Sequence, residues 1–280
     1  MIHRPFSFVS PAGEKGDLIR GDLRFSEGPA PKSAIVVVHG FKGFKDFGFF
    51  PYLCTHLARR GHAVVNFSFS CCGVGEQAGE FTELEAFARN TYTRELLELR
   101  HIVDMVVGGD LLPRRVERVG LVGHSRGGGS SVIHASEDDR IDALVTWGAV
   151  SHFDRWTQET LDDWRRDGRV HVPNKRTGQH MPMDVTLLDD FQNNSDRLDI
   201  RSAAARVTQP WLVLHGEDDM TVSLNDPEEL VSANPDARLV VIEKAGHTFE
   251  AKHPLESVPP QLDEAVALTA DHFRVHWNLD

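Results

Sequence analysis

Gly123-His124-Ser125-Arg126-Gly127 fits the pattern G-x-S-x-G, with the apolar run Val119–Val122 before it and an Ala/Ser/Val-rich segment behind it. A serine on a strand-to-helix turn sits in strained backbone with its hydroxyl exposed above the sheet edge. The turn can be that sharp only where the residues two before and two after have almost no side chain. An isolated match of this kind is as often a glycine-rich turn with an incidental serine. The strand before it and the helix after it favour a nucleophile.

A serine hydroxyl is a weak nucleophile at neutral pH. It needs a histidine to take its proton and return it to the leaving group, and a carboxylate to fix the imidazole tautomer. Two later segments carry those types, each just after an apolar run: Gly216-Glu-Asp-Asp219-Met-Thr-Val222 follows Trp211–His215, and Lys244-Ala-Gly-His247-Thr-Phe249 follows Arg238–Glu243. With fifteen histidines in the chain, His247 alone would read as a core or surface residue, and Asp219 alone as a cap or turn. The order Ser, Asp, His, each on a loop after a strand, makes that bland reading improbable.

The elements that must position these residues alternate between two periodicities. Phe6–Ser10 and Leu18–Phe25 read as a hairpin around Pro11-Ala-Gly13. Ala34–His39, His62–Phe69, the run before Ser125, Ile141–Trp147, Trp211–His215 and Arg238–Glu243 read as strands, several of them continuously apolar and so covered on both faces. Helices are expected over Pro51–Arg60, in one long piece over Leu84–Val107, from the serine turn to about Ala135, near Pro227–Ala233 and over Glu264–His276. Strands alternating with helices imply right-handed crossovers and a doubly wound, mostly parallel sheet in one α/β domain over residues 1–280. In such sheets ligands bind beyond the carboxyl ends of the strands, where the three candidates fall. Between Val150 and Gln209 the rhythm is lost. Trp156, Trp164, Met181, Met183, Leu187, Leu188 and Phe191 stand there among many charges. A structureless loop of that length is uncommon, so residues 151–206 are expected to form a small lid over Ser125. Its aromatic and methionine side chains should face the cavity, with Arg165, Arg166 and Arg169 mostly solvated.

Composition narrows the partners. A net charge of −12 argues against nonspecific binding to nucleic acid or anionic membrane. The three cysteines, Cys54, Cys71 and Cys72, are odd in number with one adjacent pair, which suits a reducing compartment rather than a disulfide framework. No C-x-x-C pattern suggests a metal, and no cofactor is expected. Met1–Ser10 lacks the apolar stretch of a signal peptide, and no run approaches a membrane span, so the expected location is cytoplasmic. Cys71 and Cys72 follow a strand but have no suggested histidine partner as nucleophiles. Lys42 and Lys45 read as a polar loop, and His124 as a side chain packed beside the sheet. Oligomeric state is left open.

His39-Gly40-Phe41, Asn66-Phe-Ser-Phe…Gly73-Val-Gly75, the serine turn, Gly216-x-x-Asp219-x-x-Val222 and Ala245-Gly-His247 together resemble the α/β-hydrolase fold family over nearly the whole chain. Within it the chain is similar to cinnamoyl/feruloyl-type and related small carboxylesterases, neighbours of the prolyl-oligopeptidase-like branch. The resemblance implies Ser125 as nucleophile, His247 as base and Asp219 as acid, with Asp219 preferred to Asp218 on the Gly-x-x-Asp spacing and Asp154 held as an alternative. It also implies an oxyanion hole from the backbone N–H groups of Phe41 and Arg126, and a lid after Val150. The single Gly40 before Phe41 departs from an H-G-G-G loop and suggests that the Phe41 side chain walls the acyl pocket.

The function expected is a serine hydrolase acting on small to medium carboxylic esters. The same triad serves peptides and thioesters, although a peptidase of that branch usually carries a large additional domain. A non-catalytic binding protein on the same fold typically lacks a triad member, and here all three candidates are present. Fold alone would not separate these readings.

Overall fold

The computed structural model describes residues 1–13, 16–77 and 79–277. Strand β3 (Ser33–Val38) shows how the sequence dictates the layering. All six residues are buried, and alternate side chains belong to opposite cores: Ala34, Val36 and Val38 to one, Ile35 and Val37 to the other. A strand with no polar face must be covered on both sides, and helices supply the cover. On one face lie α1 (Phe50–Arg59) and α9 (Pro260–Trp277), burying Leu53, Leu57, Leu262, Val266 and Phe273. On the other lie α3 (Tyr92–Gly108) and α4 (Arg126–Glu137), burying Leu96, Leu99, Ile102, Val132 and Ile133.

β3 is flanked by β4 (Ala63–Ser68) and β5 (Arg118–His124), both parallel to it. Beyond β5 the sheet continues in parallel through β6 (Ala143–Trp147), β9 (Trp211–Gly216) and β10 (Arg238–Ile242). Beyond β4 come β2 (Leu18–Phe25) and then β1 (Ile2–Val9), an antiparallel hairpin that closes the edge. The chain leaves β3 in one direction and returns past it in the other. The crevice between the carboxyl ends of β3 and β5 is therefore the switch point of the sheet, where ligands bind in open α/β folds. This is the mostly parallel, doubly wound sheet expected from the sequence, with eight strands.

Two expectations are corrected. The single helix over Leu84–Val107 is two, α2 (Leu84–Ala88) and α3. Thr91 is extended and its side chain accepts from Arg94 N, which caps a new helix start and overrides the continuous apolar periodicity. Within residues 151–206, the apolar side chains do not all face a cavity. The segment holds α5 (Gln158–Asp167), the antiparallel hairpin β7 (Arg169–Asn174) and β8 (Gln179–Asp184), α6 (Thr186–Asn193) and α7 (Ile200–Ala204). Trp164, Met181, Met183, Leu187 and Leu188 are buried in the main core, and Trp164 Nε1 donates to Met183 O at 2.9 Å. An element pair this small cannot bury its own apolar face, so it borrows the core of the sheet. Arg165 and Arg166 are exposed as expected and pair at the surface with Asp189 and with Asp163 and Asp167, whereas Arg169 is half-buried and pairs with Glu85 and Asp184.

Candidate active site

Ser125 joins β5 to α4 at φ 56°, ψ −123°, a conformation that side chains rarely adopt and that persists only when the surroundings hold it. They do. Ser125 N donates to Trp147 O at 2.9 Å, and Ser125 O accepts from Gly128 N at 2.9 Å. The glycines are required by contact: a Cβ on Gly127 would lie 2.3 Å from His39 O, and one on Gly40 would lie 2.8 Å from Ser125 Cβ.

Asp219 and His247 arrive on the loops after β9 and β10. His247 Nδ1 donates to Asp219 Oδ2 at 2.7 Å, while Asp219 Oδ1 accepts from Thr221 N at 2.8 Å and Val222 N at 2.9 Å. Burial opposes the charge on Asp219. The hydrogen bond and charge of His247 and the two backbone N–H groups outweigh it and hold the carboxyl below its usual range. Asp218 is exposed beside it, and Asp154 is exposed elsewhere. Ser125, His247, Phe41, Trp156 and Thr221 line one cavity of about 540 Å³.

His124 packs as expected beside the sheet, against Phe49 and the His247 ring, and its Nε2 donates to His247 O at 3.0 Å. Burial and then the neighbouring His247 push it down to about 3, so it is neutral. His39 is locked similarly: Nδ1 donates to Gly40 O at 2.8 Å and Nε2 accepts from Phe69 N at 3.1 Å. Burial brings it to about 4 against the pull of that Gly40 carbonyl. It braces the loop that carries Phe41. Among the described residues, neither the Phe41 N–H nor the Arg126 N–H has a protein acceptor.

One contributor was not anticipated. Glu95, on the buried face of α3, accepts from Arg126 Nη2 at 2.5 Å and from Asn90 Nδ2 at 2.7 Å. Burial lifts its carboxyl above the usual range, with Arg126 as the main opposing influence. A glutamate falling on an apolar helix stripe was the available signal, because buried charges are paired or costly. Cys71 and Cys72 are buried, with thiols pushed up to about 11 and about 12 mainly by burial, and so are poor nucleophiles. Among the described residues no group of His, Cys, Asp and Glu is placed to hold a metal ion. Among the same residues no helix is long and apolar enough to cross a membrane.

Comparison with known proteins gives the family and the fold. The model of the alpha/beta hydrolase family matches residues 35–262. The 2,6-dihydropseudooxynicotine hydrolase of Paenarthrobacter nicotinovorans is 24% identical over 250 residues, 85% of this chain and 60% of that protein. The chain thus spans less than two thirds of that relative's length. Among solved structures, Est1E from Butyrivibrio proteoclasticus superposes with a TM-score of 0.69 at 15% identity, covering 98% of this chain and 99% of the other. The monoacylglycerol lipase of Paleococcus ferrophilus gives 0.68 at 17% identity, covering 92% and 99%. At such identities these two likenesses concern the fold.

Proposed function

The chain belongs to the alpha/beta hydrolase family, and we propose that it cleaves short- to medium-chain carboxylic esters through an acyl-enzyme on Ser125. The observation that carries this reading is the 2.7 Å contact between His247 Nδ1 and Asp219 Oδ2, beside a cavity that also holds Ser125. With Nδ1–H held by Asp219, the free Nε2 of His247 is the proton acceptor. Ser125 Oγ attacks the ester carbonyl as Nε2 takes its proton. The carbonyl oxygen, now an anion, is received by the N–H groups of Phe41 and Arg126; each such donor is worth roughly 3–4 kcal/mol in related sites. His247 then returns the proton to the departing alcohol. Water, deprotonated by the same nitrogen, releases the acid from Ser125.

Residues 151–206 act in this reading as the lid, with Trp156 and the β7–β8 hairpin forming one wall of the cavity. A volume of about 540 Å³ suits a small ester, within the range of roughly 300–1,000 Å³ usual for ligand pockets. The half-buried Phe41 walls the acyl side. Three buried free thiols support a reducing, cytoplasmic setting.

Labelling by a fluorophosphonate tests the assignment. The probe should attach to Ser125, and Ser125→Ala should lose both labelling and turnover while remaining folded. An adduct mapped to another serine overturns it. A panel of butyrate, palmitate and hydroxycinnamate esters with an aminoacyl amide should show butyrate ahead of palmitate and esters ahead of the amide. The hydroxycinnamate arm is included because Est1E has been solved with ferulic acid bound.

A further inference from the structure

We propose that the cavity selects esters carrying a second, anionic group, a carboxylate or a phosphate, and that Lys42, Lys175 and Arg176 hold it. The proposal rests on the ester-cleaving reading of Ser125 for its chemistry.

Arginines of this acidic chain are commonly paired, as Arg126 is with Glu95, Arg140 with Asp138 and Arg197 with Glu137. Lys45, three residues beyond Lys42, bonds Asp22 at 2.7 Å and Asp46 at 2.6 Å. Lys42, Lys175 and Arg176 differ. All three line the same cavity as Ser125 and His247, and among the described residues no acidic residue lines it with them and none of the three forms an ion pair.

Their placement is built rather than loose. Lys42 follows Phe41 in left-handed backbone at φ 55°. Its Nζ donates to Pro173 O at 3.0 Å, and Arg176 Nη2 donates back to Lys42 O at 3.2 Å. The Arg176 guanidinium lies 4.4 Å from the centroid of Phe47, with Phe44 and Phe81 at 5.6 and 5.5 Å. The tip of the β7–β8 hairpin is thereby latched to the loop beside the nucleophile. Backbone carbonyls and ring faces can hold these groups without neutralising them, and an uncharged donor could make the same latch. Burial, then Arg176 and Lys175, pull the Lys42 ammonium below the usual lysine range, as expected where like charges converge. Asn174 in the same turn is buried, lines the cavity, accepts from Arg176 N at 3.2 Å and, among the described residues, leaves its Nδ2 donor without a protein partner. An anion bound here relieves the repulsion and meets a guanidinium fork and two ammonium groups. The chain's overall net charge of −12 would disfavour such an anion, so the selectivity must be local.

The test compares substrates matched in size. 4-Nitrophenyl hemiglutarate is set against 4-nitrophenyl valerate, and butyryl glycerol 3-phosphate against monobutyrin, so that the two pairs separate carboxylate from phosphate. In the wild type at least one anionic member should have the higher kcat/KM, with a preference that shrinks as salt is raised. Lys175→Gln, a change at an exposed turn, and Arg176→Gln should each lower that ratio by about tenfold, chiefly through KM. Lys175→Glu should lower it further. A wild-type ratio at or below one in both pairs, or ratios unchanged in all three variants, overturns the proposal. Calorimetric titration of glutarate and inorganic phosphate into Ser125→Ala separates the two readings. Anion binding that weakens in Lys175→Gln, with no ester turned over, supports the anion site while overturning the esterase. Turnover of valerate with neither anion preference nor anion binding overturns the anion site alone.

Discussion

The guanidinium carbon of Arg126 lies 4.6 Å from the centroid of the Phe41 ring, so the two residues proposed to supply the oxyanion-hole N–H groups are also joined through their side chains. Arg126 is in turn tied to Glu95, which is 2% exposed. Removing one member of a buried pair strands the other charge. Glu95→Gln should therefore destabilise the fold by about 3–5 kcal/mol, whereas the double variant Glu95→Gln/Arg126→Met should lose much less. Urea unfolding of the single and double variants checks this, and strictly additive losses would show that the pair is not coupled.

Gly40 sets the distance between the Phe41 loop and the nucleophile. Since a Cβ there would meet Ser125 Cβ at 2.8 Å and His124 O at 3.0 Å, Gly40→Ala must move either the loop or the serine turn. The expected result is a fall in kcat of about a hundredfold, with little change in unfolding midpoint. The rate of phosphonate labelling, measured beside circular dichroism, reports both. Wild-type labelling would mean that the loop yields without consequence.

Acid should unfold the protein early, and the buried histidines give the sign. His62 is held by burial at about 4, and its Nδ1 pairs with Ser33 Oγ at 2.7 Å. A histidine depressed in the folded state contributes stability that is fully present above its unfolded value of about 6.5 and is lost as pH falls toward its folded value. His39 and His272, also at about 4, behave alike. Stability should fall steeply below pH ~6.5, by up to ~1.4 kcal/mol per pH unit for each such group. His62→Asn should reduce that slope by about one proton. An identical slope in urea titrations at several pH values would refute the assignment.

What could be read in advance was whatever the local sequence constrains. The β-branched run of β3 has no polar face to expose, and the serine turn requires glycines where backbone approaches, so both the sheet and the elbow were legible. The hairpin β7–β8 was not. Each strand contains a proline, Pro173 and Pro182, which argues against a strand, and the alternation of Val170 with Val172 and of Met181 with Met183 spans only two apolar residues apiece. The break between α2 and α3 was hidden because Thr91 caps a helix inside an unbroken apolar periodicity. Lys42 and Arg176 meet only through the fold, so no spacing along the chain could have joined them. Glu95 was visible only as a charge on an apolar stripe, a pattern that does not name its partner.

The carboxylate that holds His247 is the last point open to measurement. Asp218 and Asp219 are adjacent, yet only Asp219 is buried and within 2.7 Å of His247 Nδ1. Its second oxygen is occupied by the N–H groups of Thr221 and Val222, which orient the carboxylate independently of the histidine. His215 Nε2, which donates to Val222 O at 2.9 Å, stands 3.5 Å from the same Oδ2 and backs the loop from within the sheet. Asparagine at 219 would keep the shape but offer an NH₂ group or an uncharged oxygen to Nδ1, allowing the imidazole to take the wrong tautomer. Asp219→Asn should then reduce kcat on the order of 10⁴-fold. The exposed Asp218→Asn and Asp154→Asn should stay near wild type. All three are compared on a butyrate ester at equal folded concentration. Near-wild-type turnover by Asp219→Asn would remove it from the site, and a loss of comparable size at Asp218 or Asp154 would transfer the role there.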